Sequence, residues 1–232
     1  MMAMLRRFLL VFGVFLLLGS SAGATVSVAP VVIEAVEAQA GQVFSIVCQN
    51  WGEEDVSVDL SLALFDQDEF GRVVLLESTE AVAKAAQFLT IPRDVLSLGA
   101  KEQEIIQVEL VEDTFDNLYA VLFIKPRQGG IQARMAVLLL LSTAAGDTQT
   151  ELAISSWRKE DEGLHLTIEN HGPRHGPWEG ELHFFDASNQ LSEKRQIRSG
   201  LVLVGRRRGL DVALPSWVHR VEILSAHSGQ VP

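Results

Sequence analysis

Over much of the chain, apolar and polar residues alternate with a period of two. Val56, Val58, Leu60, Leu62 and Leu64 alternate with Ser57, Asp59, Ser61 and Ala63. Ile106, Val108 and Leu110 alternate with Gln107 and Glu109, and Leu164, Leu166 and Ile168 with His165, Thr167 and Glu169. Successive strand side chains point to opposite faces, so each run predicts a strand with one buried and one wet face. Tyr119 to Ile124 and Met135 to Leu141 are apolar throughout, the pattern of strands covered on both faces. Only Ser78 to Gln87, rich in Ala and Glu, reads as a helix of note. Turn-forming clusters such as Asn50-Trp51-Gly52, Phe70-Gly71, Leu98-Gly99 and Gln128-Gly129-Gly130 punctuate the strands. Short strands with regular turns predict an all-β chain built from β-sandwiches.

A second pattern sets the number of sandwiches. Asn50-Trp51-Gly52 precedes Phe65-Asp66 by fifteen residues, and Asn170-His171-Gly172 precedes Phe185-Asp186 by the same distance. At that offset of 120, Phe44, Ile46 and Cys48 align with Leu164, Leu166 and Ile168, and Leu62 with Leu182. A strand, a loop opening in Asn-x-Gly and a strand closing in Phe-Asp thus occur twice, which predicts two tandem β-sandwiches. The first is expected over residues 25–143 and the second over 151–232. The small, polar stretch 144–150 is expected to link them.

Ahead of both lies a segment with another composition. Arg6 and Arg7, the apolar run Phe8 to Leu18 and the small residues Ala22-Gly23-Ala24 have the layout of a signal peptide spanning 1–24, with cleavage expected after Ala24. The apolar run is too short to span a bilayer as a helix, and no later run is longer than Met135 to Leu141, so no transmembrane segment is expected in the mature chain. Export to the periplasm, the cell surface or the medium follows. Losing the two arginines takes the net charge from −11 to −13. So acidic a product argues against nucleic acid or an anionic lipid surface as partner. The acidity is uneven: residues 25–145 hold 18 acids against 7 bases, residues 146–232 hold 12 against 10, and all six histidines fall in the second group. A single cysteine, Cys48, excludes a disulfide scaffold and a cysteine-built zinc site.

The second half, with Asn170-His171-Gly172 opening a long loop and Leu214-Pro215 near its end, looks like an immunoglobulin-like module, and the resemblances together imply two tandem immunoglobulin-like β-sandwich domains. The first half resembles the N-terminal domain of PapD-like periplasmic chaperones and related immunoglobulin-like domains of exported bacterial proteins. The likeness rests on the strands Val43 to Asn50 and Val56 to Phe65, the turn Asp68 to Arg72, and Phe88-Leu89-Thr90-Ile91-Pro92. It continues in Leu98 to Glu102 opening the strand Glu104 to Leu110, and in Tyr119 to Ile124 running through a hairpin into Ile131 to Leu141. The resemblance implies a protein partner, a subunit of a surface structure, bound by strand addition at the last strand, Gln132 to Leu141. Met135, Val137, Leu139 and Leu141, with Arg134 at the strand's start, are the expected partner-binding residues; simple burial of the strand is the competing reading. The pair of bases with which pilus chaperones hold a terminal carboxylate is not visible, since Val26 to Val36 carries Glu34 and no base. Within the same likeness, Cys48 shares a face with Phe44 and Ile46 and should point inward, and Tyr119 suits a tyrosine corner bonded to upstream backbone.

Candidate chemistry adds little. His171 and His175, in the loop HGPRHGPW between His165 and His183, are weak candidates for a metal site, and no metal or cofactor is expected. Trp51 and Trp178 offer either an aromatic contact surface or rim packing. Asp66, Asp68 and Glu69 read as a solvated acidic turn, and Arg206-Arg207-Arg208 as a polar strand edge or an anion-binding run. No nucleophile elbow, HExxH or phosphate loop occurs, so no enzyme is expected. The expected function is exported protein binding of a chaperone-like kind, assisting assembly of surface structures. The alternative is a cell-surface module that binds a ligand or glycan.

Overall fold

The computed structural model describes residues 26–127, 134–144, 150–160 and 163–225. The expected signal peptide therefore lies outside the described residues, as do most of the expected linker, the tip of the hairpin before Arg134 and the residues after Ser225. No helix among the described residues is long and apolar enough to cross a membrane.

The chain is all-β and forms two sandwiches. Among the described residues, ten strands build the first: β1 (Val26–Ala29), β2 (Val32–Ala35), β3 (Val43–Asn50), β4 (Val56–Gln67), β5 (Val73–Leu76), β6 (Leu89–Thr90), β7 (Val95–Leu98), β8 (Gln103–Leu110), β9 (Asn117–Pro126) and β10 (Met135–Ser142). One sheet has the order β1-β3-β8-β6 and the other β2-β10-β9-β4-β5, with β7 also paired to β4. The alternating runs face inward as expected: Ile46, Cys48, Val58, Leu60, Ile106 and Val108 share one core with Leu122, Ile124 and Leu139. The one helix among the described residues, α1 (Thr79–Phe88), begins at Ser78, whose hydroxyl accepts from the Ala81 N–H as an N-cap.

Among the described residues, six strands build the second sandwich: β11 (Leu152–Lys159), β12 (Gly163–Asn170), β13 (Gly176–Phe185), β14 (Leu191–Val202), β15 (Arg207–Ala213) and β16 (Arg220–Ser225). They form the sheets β11-β12-β15 and β14-β13-β16. Strands β3 and β12 lie at an offset of 120 residues end to end, and β4 and β13 begin at that offset. The Asn-x-Gly loops between them are built alike. Asn50, fully buried, donates its amide to Glu54 O and Gly99 O and accepts from Gly52 N–H. Asn170, fully buried, donates to Arg174 O and Val202 O and accepts from Gly172 N–H. A buried amide is tolerated only when its groups are satisfied, which is why asparagine stands at both positions.

One feature of the first sandwich positions the site. The N-terminal strand splits between two sheets. β1 pairs with β3, and after Pro30, which has no N–H to give a ladder, β2 joins the other sheet parallel to β10. Its pairing begins only at Leu138, whose N–H donates to Val31 O.

Candidate functional site

Strand β10 is antiparallel to β9 from Met135 to Ser142 and parallel to β2 from Leu138 to Leu141. Met135 to Val137 thus have a neighbouring strand on one side only, among the described residues. Because Leu138 N–H points to β2, Ala136 presents its backbone groups to the same, uncovered side. The inward-facing side chains of the strand are already committed. Val137, Leu139 and Leu141 are completely buried in the first core with Met135 packed against it. That row is filled by the protein's own residues, and what β10 has free to lend is backbone and the small, exposed Ala136 side chain. Arg134 pairs with Glu77, and its guanidinium lies 4.0 Å over the Phe123 ring. Gln132 lies outside the described residues.

The opposite face of the same sheet is apolar and is covered by the second sandwich. Leu203, with Leu201 beside it, packs on Ala63, Phe65, Val121, Phe123 and Leu140. This is why Tyr119 to Ile124 is apolar on both faces: Ala120, Leu122 and Ile124 serve one core, Val121 and Phe123 the other.

Polar groups surround that contact. The Gln67 side chain bridges the backbone of the second sandwich, donating to Leu201 O at 2.7 Å and accepting from Leu203 N–H at 3.1 Å. Arg206 meets Asp66 with two hydrogen bonds of 2.6 Å, the bidentate geometry that makes such pairs strong, and the guanidinium holds the Asp66 carboxyl below its usual range. Arg208 donates to Gly71 O and Leu201 O, and Gly209 N–H to Glu69 O. The Tyr119 hydroxyl accepts from Val204 N–H at 3.3 Å, and burial pushes its pKa up to about 12.

Several sequence readings are corrected here. Tyr119 makes no upstream corner; its hydroxyl reaches across to the second sandwich because Val121 and Phe123 turn that face toward a neighbour. Arg206 and Arg208 are clamps of the joint rather than an anion-binding run. Asp66 is spent on Arg206, while Asp68 accepts from Phe70 N–H and Arg72 N–H to close the turn. Trp178 is buried in the second core, and Trp51 is exposed with its indole N–H on Ser27, so the two do not form one surface. His171 is exposed beside Glu169 at 3.7 Å, whereas His175 is buried against Glu34 and Tyr119. Among the described residues no group of three or more His, Cys, Asp or Glu side chains comes together to hold a metal ion. Cys48 is fully buried as expected, and burial, with Glu104 opposite, pushes its thiol up to about 11. Gln67, Leu201 and Leu203 were not singled out from the sequence; the run Leu201 to Val204 was the available signal.

No protein-family model matches the chain, and no curated protein sequence matches it. Solved structures do. A chain of the chaperone–tip adhesin complex of CFA/I fimbriae aligns over 86% of this chain and 94% of its own, at 12% identity and a TM-score of 0.53. The class 5 fimbriae chaperone CfaA aligns over 89% and 94%, at 11% identity and a TM-score of 0.53. The CsuC–CsuE chaperone–tip adhesion subunit pre-assembly complex of Acinetobacter baumannii gives 87% and 98%, at 15% identity and 0.52. The chain has the PapD-like chaperone fold. In that fold's terms, β10 is the last strand of the first sandwich, and both sandwiches are within the alignments.

Proposed function

We propose that this is an exported, non-enzymatic chaperone-like protein that binds a subunit of a surface structure by strand addition at the uncovered edge of β10. One observation carries the reading: β2 covers β10 only from Leu138 onward, so among the described residues an edge of regular strand is left open beside Ala136. Open edges are templates for another chain, and strand addition uses backbone bonds for affinity. The likeness in fold to chaperones of fimbriae supports the same class of partner.

The test uses Ala136→Pro. A proline removes the N–H on the open side without touching a bond to β9, a position where edge strands accept it. The variant should melt like the parent and lose capture of a co-expressed fimbrial-type subunit in the periplasm. Capture at parental levels would remove strand addition at β10 from the reading. A glycan retained by both proteins, with no subunit, would favour the alternative of a surface ligand-binding module.

A further inference from the structure

We propose that the joint between the two sandwiches is a proton-sensitive latch, closed by neutral His175 and loosened when that imidazole takes a second proton. His175 belongs to the second sandwich, yet both ring nitrogens are engaged by the first. Nδ1 lies 3.5 Å from the Tyr119 hydroxyl and Nε2 lies 3.1 Å from Glu34 Oε1. The rings of Tyr119 and His175 meet edge to face at 5.6 Å, and the His175 side chain is 1% exposed.

The bonds run in one direction. Val204 N–H donates to the Tyr119 oxygen. A carboxylate accepts only, so Nε2 carries the proton shared with Glu34, and Nδ1 is left to accept from the Tyr119 O–H. A further proton has one place to go, Nδ1, where the tyrosine proton already points. Two donors then face each other, and either the hydroxyl turns away or the ring withdraws from the joint. Glu34, on β2, attracts the imidazolium and opposes opening. Arg174, on the histidine's own loop, repels it, and Arg198 of β14 lines the same cavity beside Ser199 and Thr150. Burial outweighs Glu34, so the ring holds its proton less well than at the ordinary 6.5.

The sign follows. A histidine freed from the joint takes up its proton first as pH falls, so the closed arrangement is intact above about 6.5 and is lost as pH drops through the lower value of the closed state. The two cores are separate clusters, so loosening would free Leu201 and Leu203 from the sheet face without unfolding either sandwich.

Tyr119 is the only tyrosine, so the chain grown with 3-fluorotyrosine gives one ¹⁹F resonance, placed at the latch. Between about pH 7.5 and about pH 5, the range in which histidine changes charge, that resonance should move and the radius of gyration from X-ray scattering should grow. Both changes should be absent in His175→Gln. An unmoved resonance in the parent, or the same response in His175→Gln, overturns the latch. Should circular dichroism show His175→Gln unfolded, the parent alone decides: the ¹⁹F midpoint must coincide with the NMR titration of the His175 ring. A midpoint that follows a different histidine overturns the proposal.

Discussion

The two sandwiches share a frame and differ in what fills it. Both hang a buried asparagine on the strand end before an Asn-x-Gly loop, with matching bonds from Asn50 and Asn170. The first then gathers twenty-one buried residues into one cluster, while the second has clusters of seven and three among the described residues. The first also shows a second apolar face, which the other covers with Leu201 and Leu203. A small sandwich with a thin core gains by docking on a large one, since the hydrophobic term grows with the area taken from water. On this ground the second unit should depend on the first more than the reverse.

Charges placed in the two cores test that asymmetry most severely. Leu139→Glu puts a charge into the first core and should cost more than about 4 kcal/mol. Thermal unfolding should show the first sandwich lost and the second destabilised with it. Leu166→Glu should unfold the second sandwich and leave a cooperative transition for the first. If both variants lose both transitions, the two units are equally dependent and the asymmetry is broken.

The shared frame is tested next. Asn50→Ala and Asn170→Ala each remove three hydrogen bonds and leave buried backbone groups bare, an expected loss of roughly 2–4 kcal/mol apiece by urea unfolding. Equal losses sharpen the correspondence; a negligible loss at Asn170 dissolves it. Cys48 and Ile168 are paired by the same offset, so Cys48→Ser should cost roughly 1–3 kcal/mol by burying a hydroxyl where its counterpart buries a methyl group. The thiol itself should label slowly in the native protein, because burial and a pKa near about 11 keep it protonated.

Smaller effects are expected at the joint. Gly71 has φ of +78°, and an added methyl would stand 2.5 Å from the Arg208 guanidinium. Gly71→Ala should cost about 1–2 kcal/mol through backbone strain and a displaced clamp. Gly205, with φ of +66° and open space around it, should lose only the strain, about 1 kcal/mol. Smallest of all is acid loss of the Asp66–Arg206 pair. Asp66 is held below its ordinary 3.8 by Arg206, so its contribution is present above about 3.8 and fades as pH falls through the lower folded value. A melting-temperature series below pH 4 in the parent and in Asp66→Asn should converge.

Much of the architecture was legible because it is repeated locally. Alternation placed β3, β4, β8 and β12 and their inward faces, since a strand's period is two whatever surrounds it. Cys48 could be assigned inward from Phe44 and Ile46 alone. The splitting of the first strand was not legible: Val26 to Val36 reads as one strand, and only the sheet order shows that β1 and β2 serve different sheets. The row Met135, Val137, Leu139 and Leu141 was visible as a row, but apolar alternation cannot say whether a face meets its own core or a partner. Trp178 stood next to a glycine- and proline-rich loop and read as rim packing or a contact surface, whereas β13 carries it into the second core.

The sequence by itself determined that the chain is all-β, that a strand–loop–strand unit occurs twice, and that the first unit carries most of the acid. Those properties follow from neighbours a few residues apart, or from a copy of the same text. Tertiary structure alone decided how the units meet. Asp66 with Arg206, Gln67 with Leu203, Tyr119 with Val204 and Glu34 with His175 are separated by 85 to 141 residues. No local rule links side chains at such separations; they are brought together when two folded cores bury a shared apolar face.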